Sequence, residues 1–313
     1  MLKTADVVWL EGVTKEFGGV RALNNVSMQV EAGVTGLLGP NGAGKSTLIK
    51  ILLGLLRATS GSGHLLGYQL GTESRAIRER VGFMPEDDCY LSALSGVECV
   101  QFSAQLCQFP AIEALRRAHE ILDFCGAGQE RYRHVETYST GMRQKLKFAQ
   151  ALVHDPPVLI LDEPTSGLDP EEREAMLSRI RVLAQKHDKS VILCTHILPD
   201  VQAVSDSVVI LVGGEVRVSD RLEDLSRPES PSIDVRTVGS PLSLQQALLQ
   251  RQVQAELNDT GGLSVSGTDE TVASLVWAAA QESETLILSI TPARNSMEAI
   301  FLDAVRGHDH AHP

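Results

Sequence analysis

Gly39-Pro40-Asn41-Gly42-Ala43-Gly44-Lys45-Ser46 decides the fold. The stretch fits the pattern of a glycine, four free positions, then Gly-Lys-Ser. An apolar strand candidate, Val34 to Leu38, leads into it, and a helical stretch, Lys45 to Leu56, leads out. Strand, glycine loop and helix form the setting in which a backbone cradles phosphate. Glycines let successive N–H groups turn inward around phosphate oxygens, and the helix N-terminus adds partial positive charge. In such a loop Lys45 reaches the β- and γ-phosphates of a nucleotide, Ser46 ligates Mg²⁺, and Thr47 hydrogen-bonds the α-phosphate.

Further along, Val158-Leu159-Ile160-Leu161 is an apolar strand ending on Asp162-Glu163. Asp162 at its carboxyl end can hold Mg²⁺ through water, and Glu163 can polarise a water that attacks the γ-phosphate. Acidic strand ends are common; the phosphate loop is what makes this one a candidate site. Tyr138-Ser139-Thr140-Gly141-Met142-Arg143-Gln144 reads as Ser139 capping a helix from Met142 to Leu152, with Gly141 permitting close approach. By itself that is an ordinary capped helix.

The order of these pieces, followed by Ser166-Gly167-Leu168-Asp169 and Thr195-His196, resembles the ATP-binding cassette (ABC) ATPases over about residues 7–225. The resemblance implies a nucleotide sandwich in which two copies, or this chain and a paired ABC subunit, face each other head to tail across ATP. Ser139, Thr140, Gly141 and Met142 of one subunit then meet the γ-phosphate held by Lys45 of the other, and Asp169 lies at the dimer seam. His196 corresponds to the family's switch histidine, hydrogen-bonding the γ-phosphate and positioning water. Glu163, His196 and Lys45 thus form the implied catalytic set. Phe17, before Gly18, is near the aromatic position that stacks on adenine; an aromatic closing the small β-subdomain is the other reading.

Two positions depart from the family pattern. Glu86 follows Pro85 at the lid, where Gln is usual; a carboxylate there can still ligate Mg²⁺ or its water. The signature reads Tyr-Ser-Thr-Gly-Met rather than Leu-Ser-Gly-Gly-Gln, and looks like the branch that powers bacterial exporters of drugs, antibiotics, polysaccharides or ions. The implied protein is the ATP-hydrolysing subunit of an exporter that drives a separate membrane permease. It would be cytoplasmic, peripheral on the inner face of the cell membrane. The alternatives are an importer ATPase with a regulatory C-terminal domain and a soluble, non-transport ABC ATPase.

The expected fold is α/β: a P-loop NTPase core of ABC type with an N-terminal antiparallel β-subdomain and a helical subdomain (about 87–137), plus a small α+β C-terminal domain. The ATP-binding domain is expected over 1–228 and the accessory domain over 229–313, divided at Arg227-Pro228-Glu229-Ser230-Pro231. The second domain reads βαββαβ and then a helix, with Asn295 and Glu298 as a capping box. Leu91, Leu94 and Val97 are candidates for permease contact, with core packing as the other reading.

The 313 residues carry 28 basic and 40 acidic side chains, a net charge of −12. From Glu229 onward four basic residues face eleven acidic ones, with no lysine. That balance argues against nucleic acid as a partner, because binding needs a basic surface to release counterions. Five scattered cysteines without a C-x-x-C read as ordinary thiols. No apolar run approaches the ~18 residues of a membrane span. His308, His310 and His312 could bind metal, although a terminal tail is the plainer reading.

Overall fold

The computed structural model describes residues 6–91, 93–228, 231–258, 261–267 and 270–309. Strands β1 (Val8–Phe17) and β2 (Val20–Val30) pair antiparallel around Gly18-Gly19, both glycines with positive φ. Strand β3 (Val34–Leu38) is buried throughout and leads through the glycine loop into helix α1 (Lys45–Leu52). Next come β4 (Ser60–Leu65), β5 (Tyr68–Gln69), α2 (Ser74–Arg78) and β6 (Val81–Met84). The helical segment holds α3 (Gly96–Leu106), α4 (Ala111–Phe124) and α5 (Thr140–Leu152). Alternating elements follow: β7 (Val158–Asp162), α6 (Pro170–His187), β8 (Ser190–Cys194) and α7 (Leu198–Val204). A hairpin, β9 (Ser207–Val212) and β10 (Glu215–Arg221), then precedes the short α8 (Leu222–Leu225).

Two sheets result, ordered β2-β1-β4-β5 and β10-β9-β3-β8-β7-β6. In the six-stranded sheet β9, β3, β8, β7 and β6 run parallel, as strands joined by helical crossovers must. Period-two alternation splits its residues between two apolar layers. Val158, Ile160 and Ile192 pack with α1 and the β1–β2 hairpin, whereas Leu159, Leu161, Val191 and Leu193 pack with α5 and α6. Both faces are therefore covered, which is why these strands read as continuous apolar runs. The carboxyl ends of β3, β7 and β8 meet on one edge, where open α/β sheets bind ligands.

The division into compact units falls at Leu222/Glu223, earlier than the Pro228/Glu229 limit expected from composition, and the described residues 301–309 group with the first unit. The second unit, Glu223–Ile300, contains β11 (Ser232–Thr237), α9 (Leu242–Gln250), β12 (Ala255–Leu257), β13 (Leu263–Ser266), α10 (Glu270–Glu282) and β14 (Ile287–Pro292). Its sheet order is β12-β13-β11-β14, the arrangement a split βαβ connection gives. Ile233, Val235, Leu263 and Val265 face Leu244 and Leu248 of α9 and Val276 and Ala279 of α10. Helix α11 (Met297–Asp309) ends the described chain.

The capping box expected at Asn295 and Glu298 is not formed. Ser296 Oγ accepts from the Ala299 N–H instead, and Asn295 Nδ2 donates to the carbonyls of Leu225 and Arg227. Val97 is core and Leu94 packs partly against it, while Leu91 is exposed. Among the described residues no helix is long and apolar enough to cross a membrane. Glu229, Ser230, His310 and His312 lie outside the described residues.

Candidate functional site

A cavity of about 570 Å³ opens at the carboxyl edge of the parallel strands, lined by every residue from Gly39 to Thr47 and by Glu86, Asp162, Glu163 and His196. The loop's shape depends on its glycines. A Cβ on Gly39 would lie 2.3 Å from the Leu211 carbonyl oxygen, and one on Gly44, at φ 103°, would lie 2.5 Å from that of Ala22. Backbone blocks both places, so only hydrogen fits. No side chain caps α1 and no acidic residue stands in its first turn, so its leading N–H groups are free to meet an anion. Lys45 Nζ folds back to donate to the carbonyls of Gly39 (2.7 Å) and Pro40 (3.2 Å), which parks the ammonium over the cradle.

Asp162 is buried at the end of β7, next to Cys194 of β8. Burial pushes its carboxyl above the usual aspartate range and the Glu163 charge adds to this, while Lys45 and Lys147 oppose it. Glu163, at φ 50°, is buried too, and its N–H donates to the Cys194 carbonyl (2.8 Å). Its carboxylate is held at three points. Oε1 accepts from the His196 backbone N–H (3.0 Å) and meets His196 Nδ1 at 2.8 Å; Oε2 accepts from Thr195 Oγ1 (3.1 Å). The His196 side chain is 64% exposed on the cavity side of this pair. Ser46, Glu86 and Asp162 thus offer a hydroxyl and two carboxylates to one space, the hard oxygen donors that Mg²⁺ favours. Among the described residues no three His, Cys, Asp or Glu side chains form a preformed metal cluster, so these donors would need the oxygens of a bound phosphate to complete a shell.

Ser139 caps α5, its Oγ accepting from the Met142 N–H (3.3 Å). Ser139 and Met142 line a separate cavity of about 250 Å³. Gly141 packs against α6 so closely that a Cβ would lie 2.0 Å from Glu172 Oε2. Asp169 caps α6, its Oδ1 accepting from the Glu172 N–H (2.8 Å). The loop at Ser139 and the turn at Asp169 are therefore one packed unit, apart from the cavity that the Gly39–Thr47 loop lines.

Phe17, expected against adenine, does not line the cavity. It is 45% exposed at the end of β1, with Lys15 Nζ 4.9 Å from its ring centre. Ala22 and Phe301 line it instead, and neither sits in a motif that spacing alone reveals. Sequence reading also missed the inward polar residues of α5. Gln144, buried, donates to the carbonyl of Ser166 (3.1 Å). Lys147, buried, donates to those of Pro85 and Glu86. Their signal was available: polar side chains three apart on a face that otherwise carries Phe148 and Ala151 into the core.

The protein-family profile described as ABC transporter matches residues 23–166. YdbJ of Bacillus subtilis (strain 168), an uncharacterized ABC transporter ATP-binding protein, is 35% identical over 304 residues, 96% of each chain. The daunorubicin/doxorubicin resistance ATP-binding protein DrrA of Streptomyces peucetius is 30% identical over 305 residues, 95% of this chain and 91% of that one. Among solved structures, a dimeric ATP-binding cassette in a post-hydrolysis state, bound to ADP and Pi, superposes with a TM-score of 0.64 at 26% identity. The match covers 69% of this chain and 98% of that one.

Proposed function

The chain belongs to the ABC transporter ATP-binding proteins and is an ATPase subunit, and on that premise we propose that it powers an exporter whose membrane permease is a separate polypeptide. One observation carries the reading. The glycine cradle, Lys45, Glu86, Asp162, Glu163 and His196 all border a single cavity large enough for a triphosphate. The Gly39–Thr47 backbone grips the phosphates, and Lys45 leaves its two loop carbonyls for the γ-phosphate. Ser46, Asp162 and Glu86 would hold Mg²⁺, which neutralises charge developing between the β- and γ-phosphates.

Glu163 takes a proton from the attacking water. Its three hydrogen bonds fix the carboxylate before substrate arrives, so little reorganisation remains at the moment of reaction. A carboxylate only accepts, so His196 Nδ1 carries a proton toward Glu163. Nε2 is then the ring atom left for a γ-phosphate oxygen, and donating to it takes a doubly protonated ring. Ser139, Thr140, Gly141 and Met142 act on the nucleotide of the facing subunit, a second copy or a paired ABC subunit, with Asp169 at the seam. That assignment accords with their place apart from their own chain's cradle.

The export direction is supported by the Tyr138–Met142 signature and by the relative named for drug resistance. On this reading the protein sits at the inner face of the cell membrane through its permease. Purifying it from membranes tests the proposal. A polytopic protein should co-purify and raise the rate of ATP hydrolysis, whereas recovery without any membrane protein, at an unchanged rate, would contradict it.

A further inference from the structure

The helix that carries the Ser139 loop at its N-terminus has a second face, laid along the lid that follows β6. Residues 143, 147 and 150 lie on one side of a helix by their spacing, and each engages the segment 85–90. Arg143 Nη1 is 3.4 Å from Asp88 Oδ2, and its guanidinium lies 5.6 Å from the centre of the Tyr90 ring. The Tyr90 hydroxyl in turn donates to Asp88 Oδ2 (2.7 Å). Lys147 is 2% exposed, and its Nζ donates to the carbonyls of Pro85 (3.0 Å) and Glu86 (2.6 Å). Cys89 Sγ approaches Gln150 Oε1 at 3.9 Å.

A buried ammonium is costly unless charge and hydrogen bonds compensate it. Here two carbonyls accept its N–H hydrogen bonds, and the neighbouring Asp88, Asp87 and Glu86 lend compensating negative charge against the burial. The run Glu86-Asp87-Asp88 has the opposite difficulty. Glu86 lines the cavity together with Asp162 and Glu163, and two further acidic positions, Asp87 and Asp88, follow it directly. Each side answers the other. Because Lys147 grips the backbone of Glu86 itself, it also fixes where that side chain enters the cavity.

We infer that Lys147 is a positioning residue for the lid, placing Glu86 and offsetting its carboxylate run so that the lid and the Ser139 loop move as one piece. The inference rests on the nucleotide site proposed above and assigns it a residue that motif and spacing do not mark. The need for Lys147 then depends on the charge at position 86, and a purely structural lysine would show no such dependence.

The test is a double-mutant cycle on the full chain with Mg²⁺ and ATP, combining Lys147→Met and Lys147→Gln with Glu86→Gln. ATP binding is measured by titration, and kcat and KM by phosphate release. Lys147→Met should lower kcat about tenfold while the Kd for ATP stays within about threefold, since the Gly39–Thr47 cradle is untouched. In the Glu86→Gln background the same change should cost about threefold or less, a coupling of the size found between residues in direct contact. Should Lys147→Met not fold by far-UV circular dichroism, Lys147→Gln, which keeps a donor without the charge, carries the comparison. Unchanged kcat, or an equal fold-loss in both backgrounds, overturns the inference. An unmodified chain that neither binds nor hydrolyses ATP would instead overturn the functional reading.

Discussion

Glu163 shows how one residue gathers its chemistry from neighbours in space rather than in sequence. It sits in the left-handed region at φ 50°, a conformation that costs a non-glycine residue and is found at functional sites. Its carboxylate is held by Thr195 and His196, more than thirty positions away. The Asp-Glu pair was legible as a candidate because strand and acid are adjacent, and His196 only through resemblance. The hydrogen bonds joining Glu163 to His196 follow from β7 and β8 lying side by side. Asp162 carries a prediction at this scale. Its carboxyl titrates above the ordinary value of 3.8, chiefly through burial. The folded chain therefore binds more protons than the unfolded chain above that value. This stabilisation is complete below the unfolded pKa and is lost as pH rises through the folded one. Without nucleotide, Asp162→Asn should flatten that decline, read as the denaturation midpoint against pH; an unaltered slope would reject the assignment.

Elements were legible where pattern and punctuation agree. β3, β7 and β8 were readable as apolar runs because both their faces are covered. Helix α1 ends at Leu52, short of the expected Leu56, because Gly54 turns left-handed at φ 66° and the Leu55 and Leu56 N–H groups return to the Lys50 carbonyl. A side chain at Gly54 would also strike Ser74, at 2.2 Å. β4 escaped because Ser60-Gly61-Ser62-Gly63 has no apolar alternation; it pairs with β1 through backbone contact, and Gly61 and Gly63 lie against β1 where a Cβ would clash. Phe17 resisted reading for a different reason. An aromatic beside a glycine turn suits a ligand stack or a hairpin end, and its exposed place at the end of β1, outside the lining of the cavity, is not legible in the sequence. Helix α5 carries the prediction for this scale. Ser139→Ala removes the side chain that accepts from the Met142 N–H and should cost about 1 kcal/mol in urea denaturation without nucleotide. A midpoint equal to that of the unmodified chain would show the cap to be idle.

At the scale of the molecule, the chain divides at Leu222/Glu223, a few residues before its composition changes, and each unit builds its own core. The first holds two apolar layers across one parallel sheet; the second holds a single layer under four strands. The pattern βαββαβ was readable because each strand is short and bounded by turn residues, whereas the return of the last residues to the first unit left no local signature. On the proposed reading, the first unit holds half a site. Its phosphate cavity contains the cradle and the base but not its own Ser139 loop, which borders a separate space. A complete site on this account needs the facing loop of a second subunit, and ATP is what joins them.

Light scattering of Glu163→Gln with Mg²⁺ and ATP tests that account most directly. Losing the base should cut turnover by about a hundred- to ten-thousandfold while leaving the cradle able to bind. The bridge between subunits then persists. The account predicts a species of twice the 33.8 kDa chain mass that reverts to one chain when nucleotide is removed. A single-chain mass with ATP bound, at protein concentrations well above any plausible dissociation constant, would contradict it.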